Sequence, residues 1–366
     1  MIRTIAGNGT SGYSGDGGLA TAASLSGPSS VTVDHKGNIF FYDAGNYVIR
    51  KIDTTGIITT YAGTGAIGPN CEGCMATATD FTGAGSLVTD KKGNLFFGSS
   101  FVYRIDSTGW LERFEGIFTG MGDSTEDGVH ALHYQTGAIF GICPDDSGNV
   151  FIAMTSHSGS GVSKIIKVDT LGLVTKIAGN DTAGFHDGAP ATAGAVFASN
   201  IVMDTIGNIY FYGYREWRVR KITKSTGIVN TIAGNGLTSW YSGFGDGGSA
   251  LSARVFTNGC VAVDRYGDVY IRDVDRIRKI YNSTLSVIND DMGNAFIKVF
   301  PNPATQAVTI TSSVNIRHLE LLNPLGQLLL TKEFSKKEVD LDISTLSAGM
   351  YFLKVNDTRV VKFVKN

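Results

Sequence analysis

Residues 31–63 form a unit that the chain repeats, and the repeat limits the fold more than any other feature of the sequence. Val31 and Val33 alternate with Thr32 and Asp34, a break falls at His35, Lys36 and Gly37, and a second apolar run passes through Ile39, Phe40, Phe41 and Tyr42. That pattern predicts a hairpin. Asp-x-x-Gly-Asn puts a short polar side chain at the turn entry and a glycine where the backbone needs positive φ. A third strand is expected over residues 48–52, a turn at Asp53-Thr-Thr-Gly56, and a fourth strand over residues 57–61. Four antiparallel strands this short are not stable alone, and together they describe one blade of a β-propeller.

The turn glycine recurs as Gly37, Gly93, Gly148, Gly207 and Gly267, at intervals of 56, 55, 59 and 60 residues. Each copy is followed by Asn or Asp and preceded by Asp34, Asp90, Asp145, Asp204 or Asp264. The third strand keeps a basic residue, as in Arg50-Lys51-Ile52, Arg104-Ile105, Lys167-Val168, Arg220-Lys221-Ile222 and Arg278-Lys279-Ile280. Self-similarity at a fixed period marks a propeller or solenoid, and no helix-length amphipathic segment supports stacked βαβ units. Ile2-Arg-Thr-Ile-Ala-Gly7 copies the fourth-strand signature of Thr60-Tyr-Ala-Gly63 and Asn230-Thr-Ile-Ala-Gly234, so the chain starts in mid-blade. Closure of the ring by this strand gives five blades; a lost earlier blade gives six.

The 366 residues, 42% hydrophobic and 17% charged, suit one large repeat domain plus a small one. No apolar run reaches the length of a membrane-spanning helix. Of 31 Lys/Arg and 33 Asp/Glu, residues 296–366 hold nine and six, which leaves the repeat region acidic at -5. Nucleic-acid binding needs a basic face and is not expected.

Glycine-rich connections link the repeats, as in Gly7-Asn-Gly-Thr-Ser-Gly-Tyr13-Ser-Gly-Asp16-Gly-Gly18, followed by residues 20–24 with room for one helical turn. Copies follow around Asp127, Asp187 and Asp246, while the second connection carries Asn70-Cys71-Glu-Gly-Cys74 instead. These loops are expected together on one face of the disc. Asp between glycines is a Ca²⁺ candidate, but one carboxylate per loop is too few, and no cofactor is expected; the favoured role for each Asp is bonding backbone amides to shape its turn.

With Thr4-Ile-Ala-Gly-Asn-Gly9, Ser14-Gly-Asp-Gly-Gly18, Asp-x-x-Gly-Asn and Arg-Lys-Ile in place, residues 1–288 resemble the NHL repeats of bacterial cell-surface proteins. The resemblance implies the propeller fold and leaves activity open, because that family holds binding scaffolds as well as lyases and hydrolases.

After a polar linker, residues 289–295, the composition changes. Short strands are expected over residues 308–311, 319–322, 327–331, 339–343, 349–355 and 360–364, forming a small β-sandwich across residues 296–366. Phe300-Pro301-Asn302-Pro303, Leu325-Gly326-Gln327, Gly349-Met-Tyr351 and Lys362-Phe-Val-Lys365 resemble, in order and spacing, the type A sorting domain of the type IX secretion system of Bacteroidetes. The resemblance implies passage through the periplasm, export by recognition of the tail, and a secreted or outer-membrane surface location, with the secretion machinery as partner. Met1-Ile-Arg-Thr lacks the basic and apolar regions of a signal peptide, so a truncated N-terminus is expected.

In an oxidising compartment Cys71 and Cys74 are a candidate disulfide; as a lone C-x-x-C they make a poor zinc site. Cys143 and Cys260 read as buried small hydrophobes of first strands. His130 and His133 with Asp127 are weak metal candidates, and no nucleophile elbow, zinc-protease motif, P-loop or dinucleotide fingerprint is present. Trp240, Tyr241, Trp217 and Tyr13 are the aromatic candidates for a ligand-binding face.

The expected function is a non-enzymatic, monomeric binding scaffold that holds a protein or glycan on its loop face. The alternative is a propeller lyase or hydrolase acting on polysaccharide or peptide at the central channel. An enzyme needs acid, base or nucleophile side chains converging there from several blades, and the recurring positions here are turn and core residues.

Overall fold

The computed structural model describes residues 3–366 except 82, 99–100, 116–126, 135–136, 156–162, 181–185, 238–244, 257–259, 265–266, 282–296, 325–326 and 357–358. The chain divides into two compact units, Met1–Ile280 and Tyr281–Asn366. The expected linker at residues 289–295 lies outside the described residues.

The first unit is a succession of antiparallel sheets, one for each copy of the repeat. Blade 1 contains strands Pro28–Val33, Ile39–Asp43, Val48–Ile52 and Ile58–Ala62, hydrogen-bonded in that order. Blade 2 contains Ser86–Thr89, Leu95–Gly98, Val102–Ile105 and Trp110–Glu115, and blade 3 contains Ile139–Pro144, Val150–Thr155, Ser163–Val168 and Val174–Ala178. Blade 4 follows with Ala198–Met203, Ile209–Gly213, Arg218–Ile222 and Ile228–Ala233, and blade 5 with Val261–Val263, Val269–Asp273 and Arg276–Ile280. First strands of successive blades lie side by side, which makes them the innermost layer of a propeller. Residues 3–7, expected as the closing strand, form no strand, although Gly7 and Asn8 donate their amides to Ala20 and Ala23 just as Gly63 and Thr64 donate to Ala76 and Thr79 after the fourth strand of blade 1.

The turn chemistry fixes the register. Asp34 Oδ1 accepts the amides of Lys36 and Asn38 at 2.9 and 2.8 Å, and its Oδ2 accepts Asn38 Nδ2 at 2.7 Å. The same three bonds recur around Asp90 and Asp145. With the hairpin closed this way, each blade presents alternate side chains to its two neighbours. Phe40, Tyr42 and Ile49 of blade 1 thus pack on Phe81, Leu87 and Phe97 of blade 2, while Phe151 and Ile165 of blade 3 meet Ile201 and Phe211 of blade 4. Each such side chain, taken fully from water, contributes roughly 1.5–3 kcal/mol before entropy is subtracted.

The first strands depart from simple alternation. Ser30 and Asn200 sit at φ of 48° and 47°, inside bulges, and each bonds across to the next blade: the Ser30 hydroxyl donates to the Gly85 carbonyl, and Asn200 Oδ1 accepts the Val261 amide at 3.1 Å. Val31 and Val33 of the first strand are 69% and 57% exposed.

The glycine-rich connections also run elsewhere than expected. Rather than gathering on one face, those ahead of blades 1 to 4 lie along the outer edge of the blade that they precede. Gly17 donates to Ile58 and Ile58 to Gly18; Gly128 donates to Val174; Gly188 donates to Val229. In blade 2 the pair Cys74–Met75 adds a short strand to Trp110–Leu111. The connections thereby cover outer strand edges that would otherwise invite pairing with another chain. The expected helical turns are short 3₁₀ segments, Ala20–Ala22, Ala76–Ala78, Ala131–His133, Ala191–Ala193 and Ala250–Ser252, mostly anchored by a buried first alanine.

The second unit has its own core, built on Val308, Leu319, Leu321, Leu341, Leu353 and Phe363. Its strands are Ile297–Phe300, Ala307–Leu322, Leu328–Asp342, Gly349–Val355 and Arg359–Lys365. Four expected strands are merged into two: residues 308–311 and 319–322 belong to one, and the expected strands at 327–331 and 339–343 are joined in the other, each overrunning it by one residue. The merged strands stay paired through register shifts between Thr311 and Ile316, where one sheet bends into the next layer.

Candidate functional site

Arg and Lys are adjacent in the recurring Arg-Lys-Ile, so they leave the strand on opposite faces. Arg50 is fully buried, with Nη2 2.6 Å from Asp16 of the connecting loop and Nη1 3.5 Å from the buried Asp43 at the end of strand two. Blade 4 repeats the device with Arg220 between Asp187 and Glu216, at 2.9 and 3.2 Å. In blade 5 Arg278 lies 2.7 Å from both Asp246 and Asp273. Asp16 Oδ2 also accepts the Thr60 amide at 3.1 Å, so the loop aspartate ties its loop to the fourth strand, 44 residues on, as well as neutralising a buried guanidinium. The sequence reading missed that partner, which stands 34 residues away. Burial pushes the Glu216 carboxyl up, while Arg220 pulls it down. Among the described residues no cluster of three or more His, Cys, Asp or Glu could hold a metal ion.

On the opposite face, the Lys position meets an aromatic ring: Lys51 over Phe40, Lys221 over Tyr210 and Lys279 over Tyr270, at 5.9, 5.4 and 5.2 Å from the centroids. Arg104 fills the position in blade 2 and pairs with Glu112. In blade 3 Lys167 stands opposite Phe151 in register.

The aromatic candidates have separate fates. Tyr13 roofs the blade 1 ion pair, its ring 5.0 Å from the Arg50 guanidinium and its hydroxyl 2.6 Å from Thr60 Oγ1. Trp217, at φ 53°, stacks on Phe256 at 5.0 Å and 13°, and so packs the approach to blade 5. Trp240 and Tyr241 lie outside the described residues. A different group gathers on the side where strands two and three turn. Tyr214 meets Phe140 and Phe197 edge-on at 5.8 and 5.9 Å, and the exposed Arg215 lies 5.4 Å over Phe197 and 5.9 Å over Tyr214. Phe140, 37% exposed, is in the innermost strand of blade 3. The sequence carried a trace of this cluster: Tyr214-Arg215 stands where the first repeat has Ala44-Gly45.

Cys71 and Cys74 form a disulfide in the second connection. Cys143 is half-buried and its thiol is pushed up by burial to about 12. Cys260, expected buried, is exposed just ahead of the short first strand of blade 5. His130 Nδ1 accepts the Leu132 amide at 3.3 Å and caps a 3₁₀ turn, with the His133 ring 6.3 Å away.

In the second unit the first and last tail motifs come together. Asn302 Oδ1 accepts the Val364 amide at 2.9 Å and its Nδ2 donates to the Lys362 carbonyl at 3.3 Å, while the Ala304 amide bonds the Val364 carbonyl. Phe300 is 47% exposed beside this junction, with Pro301 and Pro303 flanking Asn302. Gly349 faces Lys365 across the ladder and Phe352 faces Lys362. Tyr351 turns inward instead, stacked on Phe363 with its hydroxyl donating to Ser347 at 2.9 Å. Gln327 closes a turn with Asn323; Leu325 and Gly326 between them lie outside the described residues.

Residues 298–366 match the family model of the secretion system C-terminal sorting domain, and residues 7–81 match that of the Teneurin NHL domain. The chain joins NHL repeats to a type IX sorting domain. A 55-residue segment is 46% identical to chicken (Gallus gallus) Teneurin-1 and a 49-residue segment is 51% identical to zebrafish (Danio rerio) Teneurin-3; these cover 15% and 13% of this chain and 2% of either relative. Similar solved structures include PorZ, a surface component of the type IX secretion system of Porphyromonas gingivalis, at TM-score 0.44 and 15% identity over 100% of this chain and 47% of that one. A Bacteroides thetaiotaomicron protein of unknown function gives 0.46 and 15% over 99% and 75%. Virginiamycin B lyase of Staphylococcus aureus gives 0.40 and 11% over 92% and 84%. The sorting domain implies interaction with the secretion machinery and a secreted or cell-surface location. No helix among the described residues is long and apolar enough to cross a membrane.

Proposed function

We propose that this protein is a non-enzymatic binding scaffold, exported through its sorting domain, that holds a glycan or protein ligand at the mouth of the NHL propeller. The observation that carries the reading is the cluster of Phe140, Phe197 and Tyr214 beneath Arg215. Aromatic faces stack on sugar rings and apolar side chains, and a guanidinium beside them fixes orientation by hydrogen bonding. The innermost strands support the non-enzymatic half of the reading. Their sequences, PSSVTV, SLVT, IFGICP, ASNIVM and VAV, contain no Asp, Glu, His, Lys, Arg or Tyr. General acid–base catalysis at the channel wall would need such groups.

The test uses the full-length gene in a host with a type IX system. Deleting residues 296–366 should trap the protein in the periplasm, and unchanged export would sink the sorting half of the proposal. The secreted protein is then screened against glycans and peptides. Tyr214→Ala and Arg215→Ala should each weaken the best ligand about tenfold, a loss of about 1.4 kcal/mol, whereas Trp110→Ala on the outer strand of blade 2 should not. Turnover of a polysaccharide, or a ligand indifferent to Tyr214 and Arg215, overturns the reading.

A further inference from the structure

On the opposite side of the disc, where strands one and two turn, two grooves open between neighbouring blades. In the smaller, about 330 Å³ between blades 2 and 3, the third-strand cation Arg104 is paired with Glu112. The larger, about 550 Å³ between blades 3 and 4, differs at that point. Lys167 occupies the position of Arg104, and its ladder neighbour is Thr175 in place of Glu112. The volume falls in the range of pockets that take small molecules.

The floor of the larger groove is apolar, formed by Cys143, Phe151, Met203 and Ile209. Its charged groups come from three blades. Lys91 is paired with Asp146 at 2.7 Å. Asp145 and Asp204 have their oxygens turned into their own hairpins: Asp145 accepts Ser147, Asn149 and the Asn149 side chain, and Asp204 accepts Ile206, Asn208, the Asn208 side chain and the Tyr210 hydroxyl. Lys167, Lys176 and Lys224 have no ion-pair partner among the described residues. Lys167 and Lys176 are half-buried, and the Lys224 stem lies across Gly207, where a Cβ would meet its Cδ at 2.7 Å. Four lysines therefore line the groove against three aspartates whose oxygens are occupied.

We propose that this groove binds a free small amphipathic anion, a carboxylate, sulfonate or phosphate carried on an apolar body. The apolar part sits on Phe151 and Met203, and the charged end takes the ammonium groups of Lys167, Lys176 and Lys224. Salt weakens such binding through screening, while the partial burial of Lys167 and Lys176 preserves part of it.

The test titrates the full-length protein with anilinonaphthalene sulfonate and follows its fluorescence, with octanoate as competitor. Lys167→Met, which keeps the apolar stem, combined with Lys224→Met should weaken the probe by about tenfold or more. Cys143→Phe, which fills the floor without changing charge, should abolish the signal. Lys51→Met, at the matching repeat position in blade 1, should leave it unchanged. Circular dichroism melts of each variant separate loss of the site from loss of the fold. Equal affinity in all variants, or displacement by octanol as strong as by octanoate, overturns the proposal. Displacement by phosphatidylglycerol vesicles with none by octanoate overturns it as well, because the groove then faces a membrane surface and not a free anion.

Discussion

Arg50 and Asp43 are both withdrawn from water, and only their mutual contact and the polar groups around them make that tolerable. Asp43 also accepts the Ser26 amide at 2.7 Å and Asn46 Nδ2 at 2.7 Å, so its carboxylate is held in place even without the arginine. Arg50→Met should therefore destabilise the propeller by about 3 kcal/mol, and adding Asp43→Asn should recover part of that loss, because the double change removes the stranded charge as well. Urea denaturation of wild type, both single variants and the double variant measures the coupling; strict additivity would show that the pair does not act as a unit. The arginine was visible in the sequence as a recurring strand residue, but its role was not. Its partners come from a loop 34 residues earlier and from the neighbouring strand, and only the folded blade brings them together. Trp217 shows the reverse case. Its size marked it as a binding candidate, and the structure uses it to stack on Phe256.

At the level of the hairpin the sequence was far more explicit. Asp-x-x-Gly-Asn specifies a local set of hydrogen bonds within five residues, so composition alone closes the turn. These turns, and those between strands three and four, carry a pH dependence. Hydrogen bonds from the Thr55 and Thr108 hydroxyls hold the Asp53 and Asp106 carboxyls below their usual range. At Asp34 and Asp204 burial pushes upward, and bonds from Asn38 and Asn208 outweigh it, again leaving the carboxyl lowered. A folded-state pKa below the unfolded value of about 3.9 contributes stability above that pH and loses it as pH falls through the folded value. The urea midpoint should stay level from about pH 7 to 5 and drop below about pH 4, and Asp53→Asn with Asp106→Asn should make that drop shallower. A midpoint that rises on acidification would contradict the assignment. What composition did not encode at this scale is strand continuity. Residues 308–311 and 319–322 read as two strands because the apolar alternation lapses between them, yet a bulge carries the backbone through the lapse.

The two units keep separate hydrophobic cores, one inside residues 304–363 and the others between blades. Calorimetry of the full chain should show two transitions, and removing residues 281–366 should leave the larger one in place; a single transition lost with the tail would mean that the propeller depends on it. At this scale the repeat period announced the propeller, since a spacing held between 55 and 60 residues over five copies leaves few other architectures. The proposed ligand-facing surface was hidden because it is made of departures from the repeat, Tyr214-Arg215 among them, and departures carry no period. The tail adds a different kind of dependence. Asn302 is clasped by Lys362 and Val364, so the first and last motifs of the sorting domain hold each other although 60 and 62 residues separate them. Removing residues 362–366 would leave every described blade strand in place but nothing for Asn302 to grip, and a cut at one end of the tail thereby loosens the other.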